Sequence, residues 1–192
     1  LVERGKGIVF LTAHLGLWEV CGAAESLLRG QAVHVVNRPL DNPLLEEELA
    51  RTRRRLGYEP LGKRNMVRAI MSELKRAGSE GFLLDQNVAS HIGVVVPFFG
   101  HPAWTHPILA RMVRKTGAAV VPTFALREDP GRYSLSYGEP LLVDGLGEAE
   151  IEDVPLTARY MKVLEEAITS RPEQWLWYHD RWKQLRLARQ RG

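Results

Sequence analysis

The sequence of 192 residues contains a single cysteine, Cys21. One cysteine cannot close a disulfide within the chain, so the hydrophobic core has to stabilise the fold, and the chain suits a reducing compartment. This excludes the small secreted scaffolds that depend on disulfides. Long apolar runs are also absent, because His14 and Glu19 interrupt the longest candidate, residues 8–24. No segment therefore reaches the roughly 18 apolar residues that a membrane-spanning helix needs.

Length and composition favour one globular domain covering residues 1–192. Hydrophobic residues make up 45% and charged residues 26% of the chain, which is typical of a folded domain and excludes a disordered or collagen-like protein. The sequence opens at Leu1 and shows no signal-peptide pattern. We therefore expect that an upstream segment, with any membrane anchor it carries, is missing from this chain.

The net charge of +3 conceals a segregation of charge along the chain. Residues 51–76 hold nine basic and two acidic side chains, residues 181–191 hold five basic ones, and residues 144–153 hold five acidic ones. Such segregation predicts an anionic partner, which could be a nucleic acid, phospholipid headgroups or an acidic carrier protein. Solvated helix faces are the simpler alternative.

Apolar runs that alternate with amphipathic segments predict an α/β fold with a mostly parallel, mixed central sheet flanked by helices. Residues 7–12, 33–36 and 81–84 are expected to be buried strands, and residues 94–99 and 118–126 are expected to be further strands. Pro97 favours an edge or an end for residues 94–99. Residues 133–137 are expected to pair antiparallel to the strand before them. Helices are expected at residues 17–28, 43–56, 65–77, 107–116 and 155–170.

His14 and Glu19 are the first candidates for a site, because they flank the junction between the first strand and the first helix. In parallel sheets, ligands bind beyond the carboxyl ends of the strands. A carboxylate in the first helical turn could bond the imidazole, fix its tautomer and raise its basicity. The spacing by itself is weak, since chance can produce one such pair in a chain of this composition. A buried structural histidine is the alternative.

Five groups of residues occur in a fixed order over nearly the whole chain. They are residues 14–19 (HLGLWE), residues 37–43 (NRPLDNP), Asp85-Gln86 with residues 96–103 (VPFFGHPA), residues 116–122 (TGAAVVP), and residues 172–177 (PEQWLW) with residues 181–183 (RWK). This pattern resembles the lipid A biosynthesis late acyltransferases, the lauroyl and myristoyl transferases within the lysophospholipid acyltransferase superfamily. Members of that family usually carry a further N-terminal segment with a membrane anchor.

The resemblance implies transfer of a fatty acyl chain from an acyl carrier protein or coenzyme A thioester to a hydroxyl of a lipid A precursor or similar glycolipid. It implies no metal or redox cofactor, and a site of action on the membrane surface at the cytoplasmic face of the bacterial inner membrane. An alcohol is a poor nucleophile at neutral pH, so His14 would act as the general base. Glu19 would orient the ring and stabilise the imidazolium.

Four further residues are implied in substrate binding. Arg38 would stabilise the oxyanion or bind a phosphate of the acceptor, and Arg64 matches another recurrent arginine of the family. Asp85 and Gln86 follow a buried strand beside the expected site, where they would position the acceptor or support His14. The alternatives are surface arginines and a turn-forming pair.

The chain departs from the glycerolipid acyltransferases, because Glu19 stands where they carry Asp and Asp85-Gln86 stands where they carry Pro-Glu-Gly. Another lipid acceptor, such as a phosphoinositide mannoside or an ornithine lipid, stays open. A basic nucleic-acid-binding module is the alternative of another class, but residues 51–76 contain Tyr58 as their only aromatic residue. A truncated chain that has lost activity is a third alternative.

Other residues are not expected to carry chemistry. Cys21 lies in an apolar helical stretch and is predicted to be a small buried hydrophobic residue. His91, His101 and His106 lack the spacing of metal ligands, so no metal site is expected. The aromatic side chains between Trp175 and Trp182 fit either core packing or an interfacial belt.

Overall fold

The computed structural model describes residues 1–30, 33–35, 40–60 and 66–189. Its helices are α1 (Trp18–Arg29), α2 (Pro43–Arg55), α3 (Met66–Lys75), α4 (Ile108–Thr116), α5 (Asp153–Ser170) and α6 (Lys183–Arg189). Its strands are β1 (Ile8–Thr12), β2 (Val33–Val35), β3 (Tyr58–Pro60), β4 (Ser79–Leu83), β5 (Val94–Phe98), β6 (His101–Thr105), β7 (Ala119–Asp129) and β8 (Arg132–Tyr137). Short 3-10 turns cover Val2–Arg4, Glu148–Ile151 and Pro172–Gln174.

Six of the described strands form one sheet in the order β3-β2-β4-β1-β7-β8. β1 pairs in parallel with β4 and β7, and β2 pairs in parallel with β3 and β4. At one edge, β8 runs antiparallel to β7, as expected for residues 133–137. The mixed, mostly parallel sheet with flanking helices confirms the predicted α/β fold class.

β5 and β6 form a separate two-stranded hairpin in which Pro97 lies opposite Pro102. Proline has no N–H to donate to a ladder, so it is tolerated at the edge of a sheet or in a small hairpin. The expected edge position of Pro97 is therefore confirmed. The sequence did not predict β6.

Helices cover both faces of the large sheet. Connections between parallel strands are right-handed, which places α1 and α2 on one face and α3 and α4 on the other. The contacts of α4 with α3 and α5 agree with this arrangement. Each connecting helix runs against the strands, so α1 and α2 begin at the edge where the parallel strands end.

The main core lies between the sheet and helices α3, α4 and α5. Val9 and Leu11 of β1 are fully buried in it, together with side chains that all three helices contribute: Ile70, Leu74, Leu109, Val113, Tyr160 and Leu164. Ile8 and Phe10 alternate with them and form a smaller apolar cluster with Val121. Because both faces of β1 are buried, its sequence is continuously apolar.

The ends of two helices follow from local sequence. Asn42 caps α2 by accepting hydrogen bonds from the backbone N–H groups of Leu44 and Leu45, and Pro43 occupies the first turn, where no N–H is needed. Gly117 ends α4 in the left-handed region at φ 66° and donates its N–H to Val113. Both positions agree with the predicted helix limits.

Helix α5 has 18 residues and is amphipathic, with Leu156, Tyr160 and Leu164 buried and Lys162 exposed. In the ranges given above, no helix combines the length and the hydropathy that crossing a bilayer demands.

Replacing Leu11 by Ala should lower the free energy of unfolding by about 2–5 kcal/mol, because the change leaves a cavity in the main core. Leu44→Ala is the matched control, since this side chain on α2 is 76% exposed. Its effect should stay within about 0.5 kcal/mol. Urea denaturation followed by circular dichroism measures both. Equal losses in the two variants would contradict the position of β1 in the core.

Candidate active site

His14 lies just beyond the end of β1, in the loop that leads into α1. The loop is held by backbone hydrogen bonds from Leu176 N–H to the His14 carbonyl (2.9 Å) and from Gly16 N–H to the Gln174 carbonyl (3.0 Å). Leu17 N–H bonds the carbonyl of Ala125 on β7 (2.8 Å). The backbone of His14 is thus fixed from two sides, while its side chain remains 20% exposed.

Gly16 is required in this loop for two reasons. Its φ is +61°, a region that other residues rarely adopt. A Cβ at this position would also lie 2.2 Å from the backbone oxygen of Ala125. The close approach of the loop to β7 depends on the absence of a side chain.

Asp85 meets His14 because β1 and β4 are neighbouring parallel strands, so their carboxyl ends lie side by side. The Asp85 Oδ1 atom is 2.9 Å from Nδ1 of the His14 ring, and Oδ2 accepts the backbone N–H of His14 at 3.0 Å. Oδ2 also accepts the indole N–H of Trp175 at 2.9 Å. One carboxylate therefore binds three donors from two other segments.

The Asp85 carboxylate is almost fully buried, with 3% of its side chain exposed. Burial alone would raise its pKa, but the hydrogen bonds from His14 and Trp175 and the attraction of the imidazole hold the pKa below its ordinary value. The group is therefore ionised at neutral pH and accepts a proton-bearing Nδ1. This fixes the tautomer of His14, whose Nε2 then carries the lone pair.

The amide Nε2 of Gln86 lies 3.2 Å from Nε2 of His14. With the tautomer set by Asp85, the Gln86 amide is the donor and the imidazole the acceptor. Gln86 is exposed, so it occupies the position that another proton donor, such as a hydroxyl, would take on entering the site. Trp18 lies beside the imidazole, with ring centroids 5.1 Å apart.

Glu19 lies in the first turn of α1, as predicted, but its carboxylate bonds Arg53 of α2. The distances are 2.6 Å from Nη2 to Oε1 and 3.2 Å from Nε to Oε2. The carboxylate that bonds the Nδ1 atom of His14 is Asp85, which corrects the expected Glu19 contact. Asp85 takes this position because it follows the adjacent strand β4, and its two oxygens bond the ring and the backbone N–H of His14. A role of Glu19 in the reaction stays a prediction.

The two predicted arginines, Arg38 and Arg64, lie outside the described residues, so their roles stay predictions. Cys21 is buried on α1, and burial raises the pKa of its thiol to about 11. This agrees with a small buried hydrophobic residue. Within the described ranges, no three side chains of the metal-binding types come together.

Sequence reasoning left the aromatic segment that follows α5 open between core packing and an interfacial belt, and gave it no role in the site. Its residue Trp175 is 4% exposed and forms an isolated β-bridge with Leu15, whereas Trp177 and Tyr178 are 59% and 97% exposed. His179 accepts the backbone N–H of Asn87 at Nε2 (2.8 Å). A buried indole needs an acceptor for its N–H, and this requirement is the signal that could have linked Trp175 to a carboxylate.

Several residues of the charged segments form ion pairs inside the chain. Arg51 bonds Glu47 and Glu48 on α2, and Arg76 bonds Glu73. In the acidic segment, Asp144 pairs with Arg4 and Lys6, and Asp153 pairs with Arg111 and Arg114. In the folded protein, these ion pairs therefore neutralise part of the charge that is segregated along the sequence.

Comparisons with known proteins identify the family of the chain. Residues 2–184 match the family model described as bacterial lipid A biosynthesis acyltransferase. The chain belongs to this family. The predicted resemblance is thereby confirmed, and the strand-end histidine lies within the matched region.

Two relatives from Escherichia coli K12 are each 30% identical to the chain. One is named lipid A biosynthesis palmitoleoyltransferase and aligns over 94% of the chain and 57% of its own length. The other is named lipid A biosynthesis lauroyltransferase and aligns over 92% and 55%. A lipid A biosynthesis acyltransferase of Haemophilus influenzae is 25% identical over 91% of the chain and 53% of its own length. The chain spans about half the length of the curated relatives it matches.

Replacing Asp85 by Asn should release the ring of His14 from its fixed tautomer. Asparagine offers one acceptor oxygen to three donors, so at least one of the present hydrogen bonds is lost. Nitrogen-15 NMR of the imidazole, assigned with a His14→Gln variant, measures the proton on Nδ1.

Glu19→Gln is the matched control, because it also neutralises one carboxylate beside the site. It should weaken the pair with Arg53 and leave the proton of His14 on Nδ1. The assignment of Asp85 as the partner of the ring is wrong if Glu19→Gln changes the tautomer and Asp85→Asn does not.

Proposed function

We propose that the protein transfers a fatty acyl chain from a thioester to a hydroxyl of a lipid A precursor or a similar glycolipid. Family membership supports this reaction, and the observation that carries it is the His14 ring, held by Asp85 at Nδ1 with Nε2 turned to an exposed position. An imidazole fixed in this way is suited to accept the proton of an attacking alcohol.

The reaction begins when the acceptor hydroxyl takes the position of the Gln86 amide and donates its proton to Nε2 of His14. The oxygen attacks the thioester carbonyl, the C–O bond forms and the carbonyl oxygen becomes an oxyanion. Asp85 stabilises the imidazolium because it is already ionised. The tetrahedral intermediate then expels the thiolate, His14 returns the proton to sulfur, and an ester and a free thiol remain.

The oxyanion needs a positive or hydrogen-bonding group near it. Arg38 is our candidate for this role or for binding a phosphate of the acceptor, and Arg64 is a second candidate for binding substrate. The bidentate pair of Glu19 with Arg53 joins the first turn of α1 to α2, and we propose that it shapes the acceptor side of the site. No metal or redox cofactor enters this chemistry.

We propose an acyl carrier protein or coenzyme A thioester as the donor, since both are anionic and the chain carries a net charge of +3. The site of action would be the membrane surface at the cytoplasmic face of the bacterial inner membrane. Exposed apolar side chains at the edge of the sheet that holds His14 support a lipid surface: Leu44, Leu45, Trp177 and Tyr178. A nucleic-acid partner is disfavoured, because Arg51, Arg53 and Arg76 already bond carboxylates.

His14→Ala should abolish acyl transfer, with a loss of at least about 100-fold, because the ring proposed to accept the hydroxyl proton is removed. The protein is incubated with long-chain acyl carrier protein thioesters and a tetra-acylated lipid A precursor, and mass spectrometry follows the gain of one acyl mass. His91→Ala, at an exposed histidine away from Asp85, serves as the control and should retain activity.

Transfer by His14→Ala at the rate of the unchanged protein would contradict the proposed base. A product with a phosphoinositide mannoside or an ornithine lipid, and none with the lipid A precursor, would move the assignment to another lipid acceptor. Absence of transfer to every acceptor, from either thioester, would refute the proposed function.

A further inference from the structure

Residues 174–181, here called the C-terminal strap, make four hydrogen bonds to the site: two to residues 14–17, here called the His14 loop, and two to residues 85–87. Gln174 and Leu176 bond the backbone of residues 16 and 14, and the indole N–H of Trp175 bonds Asp85. His179 accepts the N–H of Asn87, which lies two residues after Asp85. The strap thus touches both segments that supply the His14–Asp85 pair.

Arg181 ends the strap and is fully buried. Its Nη1 donates to the carbonyl of Trp104 at 2.6 Å, its Nη2 donates to the hydroxyl of Thr105, and its guanidinium lies 5.2 Å from the ring centroid of Phe98. All three partners belong to the β5–β6 hairpin. The strap is therefore fastened to this hairpin by a buried cation.

A buried cation is costly unless an anion compensates it. Among the residues that the structure describes, no carboxylate lies within ion-pair distance of Arg181. Burial lowers the pKa of the guanidinium to about 10, and the charge that opposes this shift is Asp85. The attraction is mutual, so the guanidinium favours the ionised form of Asp85.

The packing between these two charges is continuous. The ring of Phe98 lies edge-on to that of Trp175, with centroids 5.9 Å apart, and Trp175 bonds Asp85. Arg181, Phe98, Trp175 and Asp85 form an unbroken series of contacts that ends at His14. Among the described residues, the charged or titratable side chains that face Asp85 are His14 from the His14 loop and His179 and Arg181 from the strap.

His179 does not supply the compensating charge. Burial lowers the pKa of its imidazole, and its Nε2 accepts a hydrogen bond, so it is neutral at neutral pH. Among the described residues, Arg181 is therefore the permanent cation near Asp85.

We propose that Trp175 and Arg181 are positioning residues for acyl transfer: the indole N–H and the buried guanidinium keep Asp85 ionised and aligned with His14, so the strap is part of the catalytic apparatus. This inference rests on the proposed function for its kinetic consequence. Its physical content, the charge state and alignment of the His14–Asp85 pair, can be tested without substrate.

Trp175→Phe removes the donor to Asp85 and keeps an aromatic ring in place. A carboxylate that loses a donor, and stays buried, binds a proton more readily, so the acid limb of the kcat/KM profile should move to higher pH by roughly one unit. At the pH optimum, kcat should fall about tenfold with little change in KM. Trp182→Phe is the matched control: Trp182 also packs on Phe98 (5.8 Å), but within the described part of the chain its indole N–H has no partner.

Arg181→Met removes the charge and keeps an unbranched side chain, whereas Arg181→Lys keeps the charge. If Arg181 only fastens the strap, both variants should lower the thermal unfolding temperature and leave the pH profile unchanged. If it acts on Asp85 through its charge, Arg181→Met should move the acid limb to higher pH by roughly one unit and Arg181→Lys should restore it. Lys183→Met, which removes an exposed charge two residues away, should shift nothing.

NMR titration of the His14 ring provides the readout that needs no substrate. Trp175→Phe and Arg181→Met should move the titration of the His14–Asp85 pair to higher pH, and the two controls should not. Unmoved titrations in folded Trp175→Phe and Arg181→Met proteins would overturn the inference. Shifted titrations in a protein that transfers no acyl chain would uphold the effect of Trp175 and Arg181 on the His14–Asp85 pair and refute the proposed function instead.

Discussion

The three hydrogen bonds to the buried carboxylate of Asp85 are the interaction on which the rest of the site depends. A buried anion is stable only when donors surround it, and the donors here come from the backbone of His14, its ring and the indole of Trp175. The hydrogen bonds of the Asp85 carboxylate can all form only when the end of β1, the end of β4 and the C-terminal strap are in place together. The geometry of the site therefore depends on the folding of these three segments.

The sheet order explains how residues so far apart in sequence meet. β1 and β4 are neighbours because the intervening chain crosses over to form β2 and β3 beyond β4. The pair of His14 and Asp85 is thus created by a long-range parallel pairing. The His14 loop is then fixed by backbone hydrogen bonds to β7 and to the strap, which act on the main chain and tolerate variation in the neighbouring side chains.

The sequence predicts the fold well wherever a segment is buried on both faces or carries clear capping residues. β1 is a largely apolar run, residues 119–125 of β7 are all buried, and α2 begins at Asn42-Pro43. The short strands β3 and β6 were missed because each contains a proline and few apolar residues. In the site, His14 is found from its position at a strand end and Asp85 is expected beside it, but the contact with the ring was assigned to Glu19.

The ring contact was assigned to Glu19 because Glu19 is near His14 in sequence, whereas Asp85 is near it only in the folded sheet. The cations around Glu19 compete with the His14 ring for its carboxylate, and Arg53 is such a cation. Trp175 and Arg181 were overlooked for the same reason, since their role follows from what a buried indole and a buried guanidinium must bond. These bonding requirements can be stated only once the structure shows which side chains are buried.

Cys21, the single cysteine of the chain, can be used to measure how often helix α1 separates from the sheet. The thiol is covered where α1 packs on β7, its Sγ lies 3.9 Å from the Thr123 carbonyl, and its raised pKa keeps it from forming the reactive thiolate. Alkylation therefore requires α1 to separate from the sheet. The rate at which an alkylating reagent modifies the native protein measures how often α1, the helix that follows the His14 loop, separates from the sheet, with no label introduced.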